Sequence, residues 1–212
     1  MLADGPYVRS GLLSDPERAA LEWNLLTKDR ANRPASRRLI RRHPLIAGLV
    51  LVAVIFLVAS SVLFVWPATD QPRRVDAILS LAGSNEGARE SKAVFLAKKG
   101  YAPVLLFSQG GNRADTACPR VPRVSVVCFV AHPGQTIGEV RFAANYAHRH
   151  GWHSLMVVAG RTQITRARLL MKQCFTGQIV MIPAPVQLTH LPYEIVYEWG
   201  ALTKAVLLNE HC

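Results

Sequence analysis

The chain has 212 residues, 50% of them hydrophobic, and its 25 lysines and arginines exceed its 14 aspartates and glutamates, which gives a net charge of +11. No nucleic-acid fold signature accompanies this charge, so we exclude nucleic acid as the expected partner. Attraction to the membrane, to anionic lipid or to a wall polymer explains the charge more simply.

Residues 1–44 are predicted to form a cytoplasmic, basic and largely disordered segment. A short helix over residues 14–26 is favoured, because Ser14, Asp15 and Pro16 supply an N-cap and a proline in the first turn. Residues 31–36 mix Pro, Asn and Arg without apolar periodicity, so burial cannot offset the entropy of ordering them.

Residues 45–66 form an uninterrupted apolar stretch, and the basic residues before it are Arg37, Arg38, Arg41, Arg42 and His43. About 20 apolar residues in a helix cross the hydrocarbon core of a bilayer. The basic residues before the stretch predict a cytoplasmic N-terminus, with residues 67–212 on the other side. We therefore expect a single-pass protein of the cell membrane.

Two alternatives to a membrane span fit less well. A cleaved signal peptide has a shorter apolar region followed by small residues, whereas Val65, Trp66 and Pro67 follow here. A core helix of a soluble protein normally keeps one polar face.

Residues 67–212 alternate short apolar runs with segments of helical period, which predicts one α/β domain with a mostly parallel five-stranded sheet between layers of helices. The predicted strands cover residues 75–81, 103–108, 124–131, 154–159 and 178–182. The predicted helices cover residues 86–99, 138–150, 164–174 and 193–208. Gly100 and Gly151 are expected to end the first two helices. In the last helix, Tyr193, Tyr197 and Trp199 suit either interface anchors beside the bilayer or packing on the sheet, and we expect the latter.

All four cysteines follow the apolar stretch, where an oxidising compartment would allow them to pair. Three connectivities are possible. Cys118 and Cys128 flank a short loop, and Cys174 and Cys212 end two predicted helices, so pairing within each couple is favoured over free thiols.

Ligands of parallel sheets collect beyond the carboxyl ends of the strands. The loops at those ends cover residues 82–85, 109–112, 132–136 and 160–165, and they should converge. Glycines at such ends let backbone N–H groups approach a phosphate, although tight turns are the simpler reason for them. These glycines match neither a P-loop nor a dinucleotide-binding fingerprint, which disfavours ATP hydrolysis and NAD chemistry.

From Val75 to Pro183 the chain resembles the YdcF/SanA/ElyC-like envelope proteins, a family of unknown function with a Rossmann-like sheet. The resemblance rests on the following residues, in this order: Gly83, Arg89, Gly100-Tyr101-Ala102-Pro103, Ser108-Gln109-Gly110-Gly111, Thr136-Ile137-Gly138-Glu139-Val140-Arg141 and Arg166-Ala167-Arg168. It implies a role in barrier function or wall-precursor metabolism. The resemblance is compatible with a nucleotide or S-adenosylmethionine as cofactor. Apart from the resemblance, no cofactor is expected.

The chain departs from that family at two places. Ala159-Gly160 replaces a Thr-Ser pair, and Gln163 stands where the family has histidine. A glutamine can hydrogen-bond a substrate but cannot transfer a proton near neutral pH. Whether the chain is an enzyme therefore stays open, with Glu139 and Gln163 at the catalytic positions.

The candidate ligand-binding residues lie in or beside the converging loops: Gly83, Ser84, Arg89, Ser108, Gly110, Gly111, Thr136 and Arg166. Arginine offers a planar fork for phosphate, and Arg166 lies in the first turn of its helix, where a cation is unfavourable unless an anion is near. The simpler interpretation of both arginines is exposure on a helix.

Other polar residues have simpler roles available. Glu139 would be stabilised by the helix dipole with or without chemistry, and Thr136 suits the N-cap of the same helix. His132 follows the third strand and could replace the missing histidine. His148, His150 and His153 straddle a helix end, so no metal site is expected.

The sequence thus favours a membrane-anchored envelope protein that binds a small phosphate-bearing ligand, such as a lipid-linked wall precursor or a nucleotide. The alternative is a non-catalytic scaffold, or a wall-binding protein, that keeps the fold without the active-site histidine.

Overall fold

The computed structural model of the protein describes residues 44–83, 86–109, 118–207 and Cys212. The predicted helix over residues 14–26 lies outside this part of the chain. The chain divides into two compact units, Met1–Ile55 and Phe56–Cys212, and the second contains the sheet.

The apolar stretch is helical. Helix α1 covers Pro44–Ser60 and continues as a π-helical segment, Ser61–Val65. These 22 residues form a helix that is long and apolar enough to span a membrane. That length matches the requirement of about 20 residues for the hydrocarbon core.

Five parallel strands form one sheet within the described residues, as the sequence predicts. The strands are β1 (Ala77–Ser80), β2 (Val104–Ser108), β3 (Ser125–Phe129), β4 (Ser154–Gly160) and β5 (Gln178–Ala184). Their order is β3-β2-β1-β4-β5, and every neighbouring pair is parallel. The central strands are buried on both faces, which explains their nearly continuous apolar sequence.

Four helices accompany the sheet in the described residues, together with two 3-10 turns. The helices are α2 (Glu86–Lys98), α3 (Thr136–Arg149), α4 (Ile164–Cys174) and α5 (Leu191–Leu207), and the turns are Arg161–Gln163 and Leu188–His190. Gly100 and Gly151 follow α2 and α3 with positive φ angles of 77° and 66°, as expected for residues that end helices.

Helices cover both faces of the sheet, which confirms the predicted three layers. On one face, Ala93 and Leu96 of α2 pack with Ile78 of β1. On the other face, α3 and α4 pack against Ala77 and Leu79 of the same strand. Neighbouring residues of β1 therefore serve opposite layers, because side chains alternate along a strand.

Helix α5 packs against α4 and the 3-10 turn Arg161–Gln163. The expectation that its aromatic residues pack on the sheet is wrong for Tyr193 and Tyr197, whose side chains are exposed. Trp199 instead contacts the end of the apolar helix within the second unit. Its ring stacks on Phe56 at a centroid distance of 5.5 Å and meets Phe64 edge-on at 5.4 Å.

The cysteines form the two favoured pairs. Cys118 bonds to Cys128 and Cys174 bonds to Cys212, with Cα–Cα distances of 6.0 and 5.2 Å. The first disulfide ties the loop before β3 to that strand. The second ties the end of α4 to the last residue of the chain.

Candidate functional site

The direction in which strands are added reverses at β1. From β1 the chain adds β2 and β3 on one side, and it then crosses to the other side of β1 to add β4 and β5. The carboxyl ends of β1 and β4 lie side by side at this reversal, because Ser80 pairs with Val158. A crevice between two such ends is where open parallel sheets bind ligands. Gly83 follows β1, and Gly160 and Gln163 lie at the end of β4 or directly after it.

The guanidinium group of Arg89 reaches this crevice from the first turns of α2. Its Nη1 donates a hydrogen bond of 2.8 Å to Oε1 of Gln163. The same oxygen accepts a hydrogen bond of 3.3 Å from the backbone N–H of Gly160. The Arg89 side chain is 1% exposed, so the interpretation of this residue as a solvated helix arginine is wrong. Two of the predicted site residues, Arg89 and Gln163, are therefore in direct contact.

Gly83 closes the crevice from the β1 side. Its φ angle is +135°, a backbone conformation that residues other than glycine rarely adopt. A Cβ atom at this position would lie 2.8 Å from Nε2 of Gln163 and 2.9 Å from Nη1 of Arg89. Glycine is thus required here both by the backbone and by the two polar side chains that it contacts.

Glu139 lies in the first turn of α3, and its side chain is 4% exposed. Its Oε1 accepts a hydrogen bond of 2.7 Å from the backbone N–H of Ala82, the residue before Gly83. Burial raises the pKa of Glu139, while the buried hydroxyl of Ser108, the N–H of Ala82 and the charges of Arg89 and Arg166 act to lower it. The net direction is upward, so the fold favours the protonated carboxyl group.

Thr136 is buried and is the first residue of α3, whereas the N-cap is Gln135. The predicted N-cap role of Thr136 is therefore wrong by one position. Two residues later, Gly138 permits a close approach that a larger residue would block, since a Cβ atom there would lie 2.1 Å from the carbonyl oxygen of Pro133. Gly138 allows the loop before α3 to pack onto the first turn that carries Glu139.

Arg166 forms a buried ion pair with a carboxylate of the same chain. Its Nε and Nη2 donate hydrogen bonds of 2.8 Å to the two carboxylate oxygens of Glu198 on α5. Burial acts to lower the pKa of Arg166, and the hydrogen bonds and the charge of Glu198 outweigh it, so the pKa is raised. The anion that the sequence led us to expect beside Arg166 is thus a carboxylate of the same chain.

A second buried contact joins the same two segments. Thr162 Oγ1 donates a hydrogen bond of 2.9 Å to Oε2 of Glu194. Thr162 and Arg166 are four residues apart, as are Glu194 and Glu198, so the two pairs are in register. Sequence reasoning missed both glutamates. Their signal is two acidic residues one helical turn apart in the mostly apolar first half of α5.

The remaining predicted site residues are placed as follows. Ser84, Gly110 and Gly111 lie outside the described residues. Ser108 is buried at the end of β2. His132 is exposed, whereas Arg89 and Glu139 are buried. Within the described part of the chain, no group of three or more His, Cys, Asp or Glu side chains is arranged to hold a metal ion.

Comparison of the chain with protein-family models, with curated proteins and with solved structures found no match. Membership of the YdcF/SanA/ElyC-like family therefore stays a prediction from the motifs. The properties of the site rest on its own geometry.

Proposed function

We propose that the protein is a single-pass membrane-anchored protein of the cell envelope whose sheet-bearing domain binds a small, phosphate-bearing anion at the β1/β4 crevice. The observation that carries this proposal is the buried guanidinium group of Arg89, held by the neutral side chain of Gln163 between two glycine-bearing strand ends.

The charges around the crevice favour an anion. The charge of Arg166 is balanced by Glu198. Burial raises the pKa of Glu139, which lowers the negative charge that this buried carboxyl group brings to the site. Helix α4 also begins at Ile164, directly after Gln163, and a helix N-terminus carries about half a positive charge. Together these features provide positive potential for a phosphate group.

Gln163 supports binding more directly than catalysis. Its amide oxygen accepts hydrogen bonds from Arg89 and from Gly160, so the side chain orients the guanidinium group. An amide has no titratable proton near neutral pH, and it cannot take the acid or base role of the histidine that the family resemblance implies at this position. We assign Gln163 to positioning and assign no reaction.

The chemistry of the other elements supports the envelope location. The apolar helix Pro44–Val65 supports anchoring, and the basic residues before it support a cytoplasmic N-terminus. Two disulfides in the sheet-bearing domain suit an oxidising compartment outside the cytoplasm. A phosphate ligand in that setting is carried either by a lipid-linked wall precursor or by a nucleotide.

The test compares the full chain in detergent micelles with its Gln163→Glu variant. This isosteric change places a carboxylate where Gln163 Oε1 now lies 2.8 Å from Nη1 of Arg89. We expect the fold to be retained or stabilised, since charge-assisted hydrogen bonds are about twice as strong as neutral ones. We also expect the affinity for pyrophosphate, measured from the shift in thermal midpoint, to fall by about tenfold or more, a loss of about 1.4 kcal/mol.

The matched control is Gln173→Glu, which makes the same change at an exposed residue near the other end of α4. It should leave pyrophosphate binding unchanged. Equal binding by the wild type and the Gln163→Glu variant would contradict the assigned site. Absence of binding by the wild type to pyrophosphate, uridine diphosphate and polyprenyl phosphate would favour the scaffold alternative.

A further inference from the structure

Helix α5 presents a solvent-exposed stripe of large apolar and aromatic side chains, which we call the α5 outer face. It consists of Tyr193, Val196, Tyr197 and Leu207, which are 71%, 70%, 56% and 75% exposed. Exposed apolar residues scattered singly are ordinary, but Tyr193, Val196 and Tyr197 recur at helical spacing in the first turns of α5, and Leu207 lies on the same side at its end. A cluster of this kind indicates an interaction surface.

The α5 outer face lies on a different side of the helix from the glutamates that attach it to the domain. At about 100° per residue, the centre of the stripe lies about 135° around the helix from the centre of Glu194 and Glu198. Those two glutamates are buried against Thr162 and Arg166. Helix α5 thus has one face locked to the domain by polar contacts and an opposite face that is apolar.

The flank of α5 between these two faces carries Trp199, which fixes the helix to the end of the apolar helix. Besides its ring contacts with Phe56 and Phe64, the indole Nε1 donates a hydrogen bond of 2.9 Å to Oγ of Ser60. Phe56, Ser60 and Phe64 are four residues apart, so they form one stripe on the apolar helix. Thr165 also donates a hydrogen bond to the carbonyl oxygen of Leu63, close to the same contact.

The length of the apolar helix sets the depth of this contact in a bilayer. The hydrocarbon core requires about 20 residues of helix, which is nearly all of the 22 residues of Pro44–Val65. Ser60 lies five residues before the end of that run, and five residues of helix measure about 7 Å. Helices that lie in the membrane interface bury their apolar faces by about 5–10 Å. Ser60, the hydrogen-bond partner of Trp199, therefore falls at interfacial depth.

We propose that the α5 outer face lies in the interfacial layer of the same bilayer that the apolar helix crosses, so that α5 is a second membrane contact. The inference rests on the proposed membrane anchoring but not on the proposed phosphate site. Tyrosines suit this layer because the ring enters the acyl region and the hydroxyl stays with the headgroups.

This arrangement has a consequence for the crevice. The contacts of α5 with Thr162 and Arg166 bracket Gln163, so the segment that lines the crevice is attached to the helix that lies on the membrane. A domain held at two points cannot swing freely about the end of a single span. The crevice is therefore kept at a fixed height above the bilayer.

The test measures the environment of nitroxide labels on the full chain in vesicles of phosphatidylethanolamine and phosphatidylglycerol. Single cysteines are introduced by Val196→Cys in the α5 outer face, Leu51→Cys in the apolar helix and Arg149→Cys at the exposed end of α3. The four native cysteines are paired in disulfides, so the added thiol is the reactive one. Oxygen, which partitions into lipid, and a polar nickel chelate, which stays in water, then report accessibility by their effects on the label.

We expect the ratio of oxygen to nickel accessibility at position 196 to approach that at position 51 and to exceed that at position 149 by about tenfold or more. A label at position 196 that the nickel chelate reaches as easily as one at position 149, while position 51 remains lipid-exposed, would overturn the inference and leave the anchor intact. A label at 196 that neither reagent reaches would also overturn it, in favour of a protein partner or a second copy on this face. A water-accessible label at position 51 would refute the anchoring itself.

Discussion

Burial and hydrogen bonding act in opposite directions on the carboxyl group of Glu139, and burial prevails, so the pKa lies above the ordinary value of 4.5. A carboxyl group whose pKa is raised by folding contributes stability that is fully present below the unfolded-state pKa. That contribution is lost as the pH rises from about 4.5 through the folded-state pKa. We therefore expect Glu139→Gln, which keeps the acceptor for Ala82 without a titratable proton, to remove this pH dependence.

The measurement is the thermal midpoint of the full chain and of Glu139→Gln between pH 4 and pH 8. The thermal midpoint of the variant should rise relative to that of the wild type as the pH increases above about 4.5. The difference between the two midpoints should become constant above the raised pKa. Glu90→Gln, at a partly exposed residue of α2, supplies the background for a neutralised carboxylate. A difference between wild type and Glu139→Gln that stays constant across the whole range would show that folding does not shift the pKa of Glu139.

Single residues also show where sequence reasoning succeeds and fails. The two disulfide pairs could be predicted from the positions of the cysteines relative to the predicted loop and helices. The helix-ending roles of Gly100 and Gly151 could be predicted from their positions after helical segments. The burial of Arg89 could not, since Glu90, Ser91 and Lys92 after it suggest a solvated helix face. Only the packing of α2 on the sheet reveals that this guanidinium group is 1% exposed.

At the scale of elements, the five strands and the ends of α2 and α3 could be predicted because local signals determine them. Apolar runs indicate strands buried on both faces, and glycines that can take positive φ angles end helices. Helix α5 is different. Its apolar composition indicated burial but could not show what covers it, so the expected packing on the sheet was wrong for Tyr193 and Tyr197.

The attachment of α5 to α4 depends on the pair Arg166–Glu198, whose side chains are both buried. Removing one partner of a buried pair leaves the other charge uncompensated, and the usual cost is about 3–5 kcal/mol. We expect Arg166→Met to lower the free energy of unfolding by this amount. The double variant Arg166→Met/Glu198→Leu should regain most of the loss, because it leaves no buried charge. Denaturant unfolding in micelles measures both effects.

The matched control is Arg168→Met on the same helix. Arg168 pairs with Asp70 at 3.0 Å, and both side chains are partly exposed. Such a pair contributes about 1 kcal/mol or less. Similar losses for Arg166→Met and Arg168→Met would show that the Arg166–Glu198 pair has no special weight in holding α5.

At the scale of the whole molecule, the end of the apolar helix is part of the sheet-bearing unit, which begins at Phe56. The sequence suggested a boundary near residue 67, because composition changes there from apolar to mixed. Composition indicates whether a segment is stable in lipid or in water. It does not indicate which face of an apolar helix packs against a protein domain. Phe64 shows the difference, since it lies within the apolar run and is 0% exposed.

Phe64 accordingly belongs to the core of the domain, and its truncation should lower stability even with the rest of the apolar helix intact. We expect Phe64→Ala in the full chain to lower the free energy of unfolding by about 3–5 kcal/mol, the usual cost of truncating a buried phenylalanine. A chain that begins at Pro67 should be destabilised at least as much, because it also lacks Phe56 and Ser60, the other partners of Trp199. A chain that begins at Phe56 should keep the stability of the complete protein.

Denaturant unfolding in the same detergent compares these three chains with Phe95→Ala, a matched change at a phenylalanine of α2 that is 52% exposed. Phe95→Ala should cost less than about 1 kcal/mol, since most of its ring already contacts solvent. If the chain from Pro67 proved as stable as the chain from Phe56, the apolar helix would be only a tether. A large difference would instead mean that the domain completes its core with the last residues of the apolar helix, which Trp199 of α5 contacts.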